Sequence, residues 1–385
     1  MKRIGFLLNV NKEWLGGVNY YRNLFWALHE YASDGWETVV FVPEPYNLDI
    51  IKDYPPSIKI VRSSVLSRWS CAGVARRVIR RLFKNDFLLK WCLDRHGVRI
   101  VSHVSTDLFC GDIKTIAWIP DFQHIYLPEF FSKGELVARD RTFLNLAKNA
   151  DVVLLSSNAA KSDFMKFCPK YKEKAEVLHF VPKMECENIP DLQTLCSKYS
   201  IPQKFFYLPN QYWIHKNHKI VLQALKLLRD EGKKVFVVST GQTGDYRAPR
   251  LMDEIRKYIQ ENRLQEMYCI LGSISYIDTR GLSIHCQAYI NPSLFEGWST
   301  TVEEAKCYGK LILLSDIPVH REQAPERGVF FDPSDACQLA AKMWSMWNAP
   351  NVPCDLEALL KTNQKKRKAF AERYCQIIES VGNKF

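Results

Sequence analysis

The sequence predicts an α/β protein built from two Rossmann-like, doubly wound domains facing a central cleft. Three observations carry that expectation. The chain has 385 residues, more than one ordinary domain holds, so two domains are the natural count. Short apolar runs alternate with longer amphipathic stretches, and this happens in both halves, the pattern of parallel sheets with helices on both faces. The runs are continuously apolar, as strands buried on both faces require.

In the first half, strands are expected at 3–10, 38–42, 58–62, 99–103, 115–120, 151–156 and 176–181, with helices at 18–31, 136–150 and 158–167. In the second half, strands are expected at 205–208, 234–239, 268–272, 288–292, 311–315 and 328–331, with helices at 217–230, 249–261, 301–308 and 336–347. Between the halves, 182–204 is polar, holds Pro190 and Pro202 and lacks a strand pattern, so the break falls there. The expected organisation is an N-terminal domain 1–182, a C-terminal domain 183–355 and a basic helix in 356–385. That helix either packs back on the N-terminal domain or is a solvated cap. Doubly wound sheets take ligands outside the carboxyl ends of their strands, which points to the cleft between the domains.

Hydrophobic residues make up 47% and charged residues 25% of the chain, a globular composition. Twelve cysteines show no C-x-x-C pair and no zinc-ligand spacing. Several, such as Cys269, lie in apolar runs, and buried free thiols in a reducing cytosol are expected. Met1-Lys2-Arg3 leads into an apolar run too short for a signal peptide, and no run reaches membrane-spanning length, so a cytoplasmic location is expected. The net charge of +11 favours polyanions: nucleic acid, an anionic membrane face or a phosphorylated substrate.

The chemistry concentrates in 291–309. An apolar strand ends at Asn291, a turn with Gly297 follows, and Thr300 or Thr301 is placed to cap a helix, with Glu303 or Glu304 three residues on as in a capping box. Gly309 closes the helix. Unpaired N–H groups and the dipole at a helix start favour an anion, and a diphosphate fits. Glu296 and Glu304 would not hold phosphates. As carboxylates they suit hydroxyl groups, one on a ribose and one on a sugar. The plain alternative is a surface acid and a capping acid.

This segment resembles glycosyltransferase family 4, retaining enzymes of the GT-B fold that carry E-x7-E in the C-terminal domain. Glu296 and Glu304 have that spacing, with Ser293-Leu294-Phe295-Glu296-Gly297 leading in and Ala305 and Gly309 following. The resemblance implies that Glu296 contacts the donor sugar and Glu304 the nucleotide ribose. Gly297, Trp298, Ser299, Thr300 and Thr301 complete the expected donor-binding segment. It further implies a nucleotide-diphosphate sugar as co-substrate, no cofactor and no catalytic metal.

Other motifs match the same family. Tyr207 to His218 runs from a strand through a loop into a helix, and Lys216 stands where the family binds donor phosphates with a cation. Asn210 and Gln211, also expected at the donor, occupy the place where many members carry an arginine. His215 and His218 lack a carboxylate to complete a metal site and read as loop and helix-start polar groups. Gly16 and Gly17 follow the first strand as the family's glycine-rich loop does. Trp118 to His124 with Pro128-Glu129-Phe130-Phe131 is similar to an H-D-L-Q-H…P-E-F-F pattern. Pro120 replaces its first histidine, leaving His124 or Asp121 as substitutes, against a merely structural role. Gly241 opens a flexible loop at a strand's carboxyl end that either lines the nucleotide or is simply a turn, and Ser273 begins the stretch where relatives contact the base. The expected catalytic set is Glu296, Lys216, His124 and Asp121.

Residues 68–91 read as one helix in which Arg76, Arg77, Arg80, Arg81 and Lys84 interleave with apolar residues. That pattern suits an anionic membrane surface bearing a lipid-linked acceptor, or an ordinary helix with a solvated basic face. The rivals to a glycosyltransferase are a basic nucleic-acid-binding protein, for which no recognition motif is present, and a GT-B epimerase or phosphorylase, for which no acid/base pair or cofactor lysine is identifiable.

Overall fold

The computed structural model describes residues 2–8, 15–32, 35–47, 49, 51–350 and 355–382. Two compact units form: Met1–Phe122, Ser132–Pro182 and Gln364–Phe385 make the first, and Gln123–Phe131 with Lys183–Asn363 the second. The final helix, Leu356–Gly382, starts in the second unit and ends in the first.

The first unit holds strands β1 (Lys2–Leu7), β2 (Trp36–Pro43), β3 (Lys59–Ser63), β4 (Val98–Val104), β5 (Lys114–Ile119), β6 (Val152–Leu155) and β7 (Ala175–Val177). They form one parallel sheet in the order β3-β2-β1-β4-β5-β6-β7. The second unit holds β8 (Phe206–Leu208), β9 (Val237–Thr240), β10 (Tyr268–Gly272), β11 (Ala288–Asn291), β12 (Ile312–Ser315) and β13 (Gly328–Phe331), parallel in the order β10-β9-β8-β11-β12-β13. The order reverses between β1 and β4, and again between β8 and β11, as in doubly wound sheets.

Both faces of the second sheet are dry. Phe206, Ala288, Ile290 and Leu313 pack into one cluster. Phe205, Tyr207, Tyr289 and Ile312 pack into the cluster on the opposite face. This alternation explains why the strands read as unbroken apolar runs. In the first unit the final helix covers the sheet with Phe370, Tyr374, Ile377 and Ile378, all buried, while Arg373 pairs with Glu176 at 2.6 Å.

Several elements differ from expectation. The polar break contains the helix Leu192–Tyr199, started by Asp191, whose Oδ1 accepts from Thr194 N at 2.8 Å. The stretch 68–91 is not one helix. Cys71–Phe83 ends at Lys84 in the left-handed region, and Phe87–Arg95 follows. The cause is Asp86, buried and gripped by Arg76 at 2.6 and 2.9 Å, which pulls the chain inward. The described cysteines are free thiols, but Cys71, Cys186 and Cys337 are exposed rather than buried. Among the described residues no helix is long and apolar enough to cross a membrane.

Candidate active site

The strand ends at the second sheet's switch point are tied together by side chains. Asn210, two residues past β8, donates from Nδ2 to Oδ1 of Asn291, the last residue of β11, at 3.0 Å. Thr301 Oγ1 donates to Asn210 Oδ1 at 2.9 Å, and Asn291 Nδ2 donates to Ser299 Oγ at 2.7 Å. All four residues are buried, so the network fixes the start of the helix Thr300–Cys307 against the strand ends. The polar atoms of Asn210 and Thr301 thus brace the site.

The N-cap is Ser299, not Thr300 or Thr301. Its backbone is extended and its Oγ accepts from Val302 N at 3.4 Å. Gln323 grips the same residue, accepting from Ser299 N at 3.2 Å and donating to Ser299 O at 2.9 Å. The third residue after the cap is Val302, so the expected capping box is absent here. Glu303 instead is buried, 2.9 Å from both Lys306 Nζ and Gln323 Nε2. Thr300 is the first helical residue, and Gly297 and Trp298 lie in the half-buried turn before it.

Glu296 and Lys216, 80 residues apart in sequence, meet at this helix start. Lys216 Nζ donates to Glu296 Oε1 at 2.6 Å. The backbone joins their loops, since Leu294 N donates to His215 O at 2.8 Å. Ser293 Oγ lies 2.7 Å from Glu296 Oε1 and 2.8 Å from Asn291 Oδ1, and its single proton serves one of them at a time. Burial pushes the Glu296 carboxyl up, but the charges of Lys216 and His320 and the hydrogen bonds from Lys216 and Ser293 outweigh it and hold the group below the usual range. His320, on the next helix, is kept neutral-leaning by burial, against the pull of Glu296. Its Nδ1 lies 2.8 Å from Ser315 O and so carries the proton, leaving Nε2 toward Asn291 Nδ2 at 3.4 Å. Lys216 is the cation hydrogen-bonded to Glu296. Glu304, half-buried one turn into the helix, lies by the phenols of Tyr207, Tyr289 and Tyr308, which burial raises and its charge raises further.

The loop after β9 is packed rather than loose. Gly241 has φ +138°, and a Cβ there would sit 2.6 Å from Asn210 O and 2.7 Å from Gln211 Cα. Tyr212 N donates to Gln242 O at 2.8 Å. Ser273, one residue past β10, is exposed. His215 and His218 are both buried. Burial, with Lys216 and Arg247 beyond it, holds His215 well below its usual value. His218 stacks on Tyr212 at 4.1 Å, and burial lowers it to about 4. Among the described residues no cluster of three His, Cys, Asp or Glu is arranged to hold a metal ion.

Arg247 is a residue that sequence reasoning missed. Buried with Asp245, it donates to that carboxylate from Nε at 2.9 Å and Nη2 at 3.0 Å, and to Gln123 Oε1 from Nη1 at 2.9 Å. It also lies over the rings of Phe131 and Trp213 at 5.5 and 5.7 Å. Tyr126 stacks on Phe295 at 5.3 Å, directly beside Glu296. The segment Gln123–Phe131 is thereby fastened to the loops of the second unit, bringing buried His124 with it. Asp121 stays in the first unit, two residues past β5. No local pattern marks Arg247, since its meaning depends on Gln123, 124 residues away.

In the first unit, Gly16 and Gly17 lie inside the first turn of the helix Leu15–Tyr31, not in a loop before it; 9–14 fall outside the described residues. At that sheet's switch point His103 takes φ +56° in a bulge of β4. Its Nε2 lies 2.7 Å from Tyr20 OH, its Nδ1 2.8 Å from Ser102 Oγ, and Tyr20 stacks on Trp118 at 4.4 Å.

The second sheet thus brings an acid–lysine pair together in the loops at its switch point, and sequence comparison gives the class of protein. Residues 199–367 match the family described as glycosyl transferases group 1; the matched segment belongs to that family, and the chain is a glycosyltransferase. No curated protein sequence matches the chain. Among solved structures, a glycosyltransferase from Rickettsia africae is similar over 99% of this chain and 98% of its own, at 15% identity and TM-score 0.67. HepE from Anabaena, in complex with UDP and glucose, is similar over 100% of both chains, at 15% identity and TM-score 0.69. WaaG, a glycosyltransferase involved in lipopolysaccharide biosynthesis, is similar over 98% of both chains, at 14% identity and TM-score 0.61. At these identities the likeness establishes the fold, which is GT-B.

Proposed function

We propose that the protein is a retaining hexosyltransferase of family 4 that moves a sugar from a nucleoside diphosphate sugar to a hydroxyl of a growing, lipid-linked glycan. It works in the cytoplasm at the membrane face, in assembly of a cell-surface polysaccharide such as lipopolysaccharide or capsule. The observation that carries the reading is the 2.6 Å pair of Lys216 and Glu296 beside the start of the helix Thr300–Cys307. The bound UDP and glucose of HepE and the lipopolysaccharide role of WaaG support the donor and acceptor classes.

In this reading the diphosphate lies against the helix start at Ser299 to Thr301, where the dipole and the N–H groups of Thr300 and Thr301 oppose its charge. Lys216 turns from Glu296 to the leaving phosphate, and Glu296 accepts sugar hydroxyls. Glu304 takes the ribose, with Gly241 and Ser273 along the nucleotide. His124 and Asp121 serve the sugar and acceptor, and the backbone at Gly16 and Gly17 the phosphates. The bond from C1 to the diphosphate oxygen breaks as the acceptor oxygen bonds C1 on the same face. The departing phosphate oxygen takes the acceptor's proton, so no protein base is needed. Lys216 and the helix supply the positive charge, and catalysis needs no metal.

The test is Glu296→Ala and Lys216→Ala, with donor hydrolysis and transfer both measured for UDP, GDP, dTDP and CDP sugars. Each variant is expected to lose about 100-fold in rate or more, the usual scale for a lost charge-stabilising group. Full activity in both would overturn the site.

A further inference from the structure

Residues 68–95 carry a surface that this reaction does not use. The helix Cys71–Phe83 turns Val74, Val78 and Leu82, spaced by four, toward solvent on one face. Trp69 is 82%, Leu82 68% and Phe83 72% exposed, and the next helix adds exposed Phe87 and Trp91. Arg77, Arg81 and Lys84 fall along one flank of the apolar row and are exposed too. Arg76, expected among these outward cations, is instead drawn inward to buried Asp86. That pair sets the rotation of the helix and keeps the apolar row pointing out.

A contiguous apolar row in water is unfavourable and marks a contact surface. An apolar sector with cations on its flank is the layout of a helix lying in a membrane interface, where tryptophan is also favoured. We infer that the helices Cys71–Phe83 and Phe87–Arg95 dock on an anionic bilayer. Val74, Val78 and Leu82 sink to the boundary of headgroups and acyl chains, and Arg77, Arg81 and Lys84 meet lipid phosphates. Charge selects this occupant, because a second copy of the chain would oppose the same cations to its own. The inference extends the reading of a membrane-borne acceptor by naming the surface that holds the enzyme there.

The test measures co-sedimentation of the whole chain with vesicles of phosphatidylcholine, with and without phosphatidylglycerol, at low and high salt and without donor or acceptor. The wild type is expected to bind the anionic vesicles and to weaken with salt. Val78→Ser with Leu82→Ser, and separately Arg77→Gln with Arg81→Gln, should each lower partitioning by about tenfold or more. Thermal unfolding and donor hydrolysis in solution should be unchanged in both, since all four residues face solvent. Wild-type binding by either double variant, or no binding by the wild type, overturns the inference. So does a dimer that the apolar variant dissolves. Vesicle binding without any donor hydrolysis would sink the transferase reading and leave this one standing.

Discussion

At the scale of single residues, the site depends on charges and backbones that have little room to move. Glu296 is legible in the sequence because a motif spacing and a turn surround it, and Lys216 because it ends a strand–loop–helix run. Their contact is not legible, since it depends on two loops joined by the Leu294-to-His215 hydrogen bond. Arg247 is illegible for the same reason: the groups that give it a role come from distant sequence. Gly241 is the sharpest residue-scale case. Its φ of +138° disfavours any side chain, and the atoms a Cβ would strike are backbone atoms of Asn210 and Gln211, which cannot swing aside. Gly241→Ala is expected to destabilise the second unit by about 2 kcal/mol, read as a lower urea midpoint, and to weaken donor binding as Asn210 is displaced. A midpoint equal to the wild type would show that the loop relaxes freely.

At the scale of elements, the strands were readable because burial on both faces leaves unbroken apolar runs. Helix boundaries were less so, because caps turn on tertiary partners. Ser299 rather than Thr300 or Thr301 caps the helix Thr300–Cys307, since Asn291 and Gln323 converge on it from β11 and from the helix Pro318–Gln323. Likewise one amphipathic pattern over 68–91 became two helices because Asp86 has a buried arginine to meet. Ser299→Ala removes a cap worth about 1 kcal/mol and leaves Asn291 Nδ2 without that acceptor. The expected outcome is a stability loss of about 1–2 kcal/mol, with a rise in donor KM larger than any fall in kcat. A kcat loss alone would argue against a ground-state role for this helix start.

At the scale of the whole molecule, buried neutral histidines couple stability to pH. His218 and His103 are lowered by burial to about 4 and about 3, and His215 lies well below its usual value. Above about pH 6.5 these groups are neutral folded or unfolded, and the stability is complete. As pH falls below that value, the unfolded chain takes up protons that the folded chain refuses. Stability then drops by about 1.4 kcal/mol per pH unit for each such histidine, down to about pH 4 for His218. Glu296, depressed, acts in the same direction once pH falls through the carboxylate range. Urea unfolding at pH 7 and pH 5 should show this loss, and His218→Gln should flatten the slope by one proton. A pH-independent midpoint over that range would contradict the buried, neutral assignment. Finally, Gln123–Phe131 belongs with the second unit while 364–382 belongs with the first. The chain is therefore not two interchangeable cassettes divided at Pro182. A hybrid that borrows a donor half from a relative must import its own version of that nine-residue patch and keep the native tail, or Arg247 and Phe295 face strangers. Descent by swapping halves would leave its trace as paired change at 123–131 and 245–247.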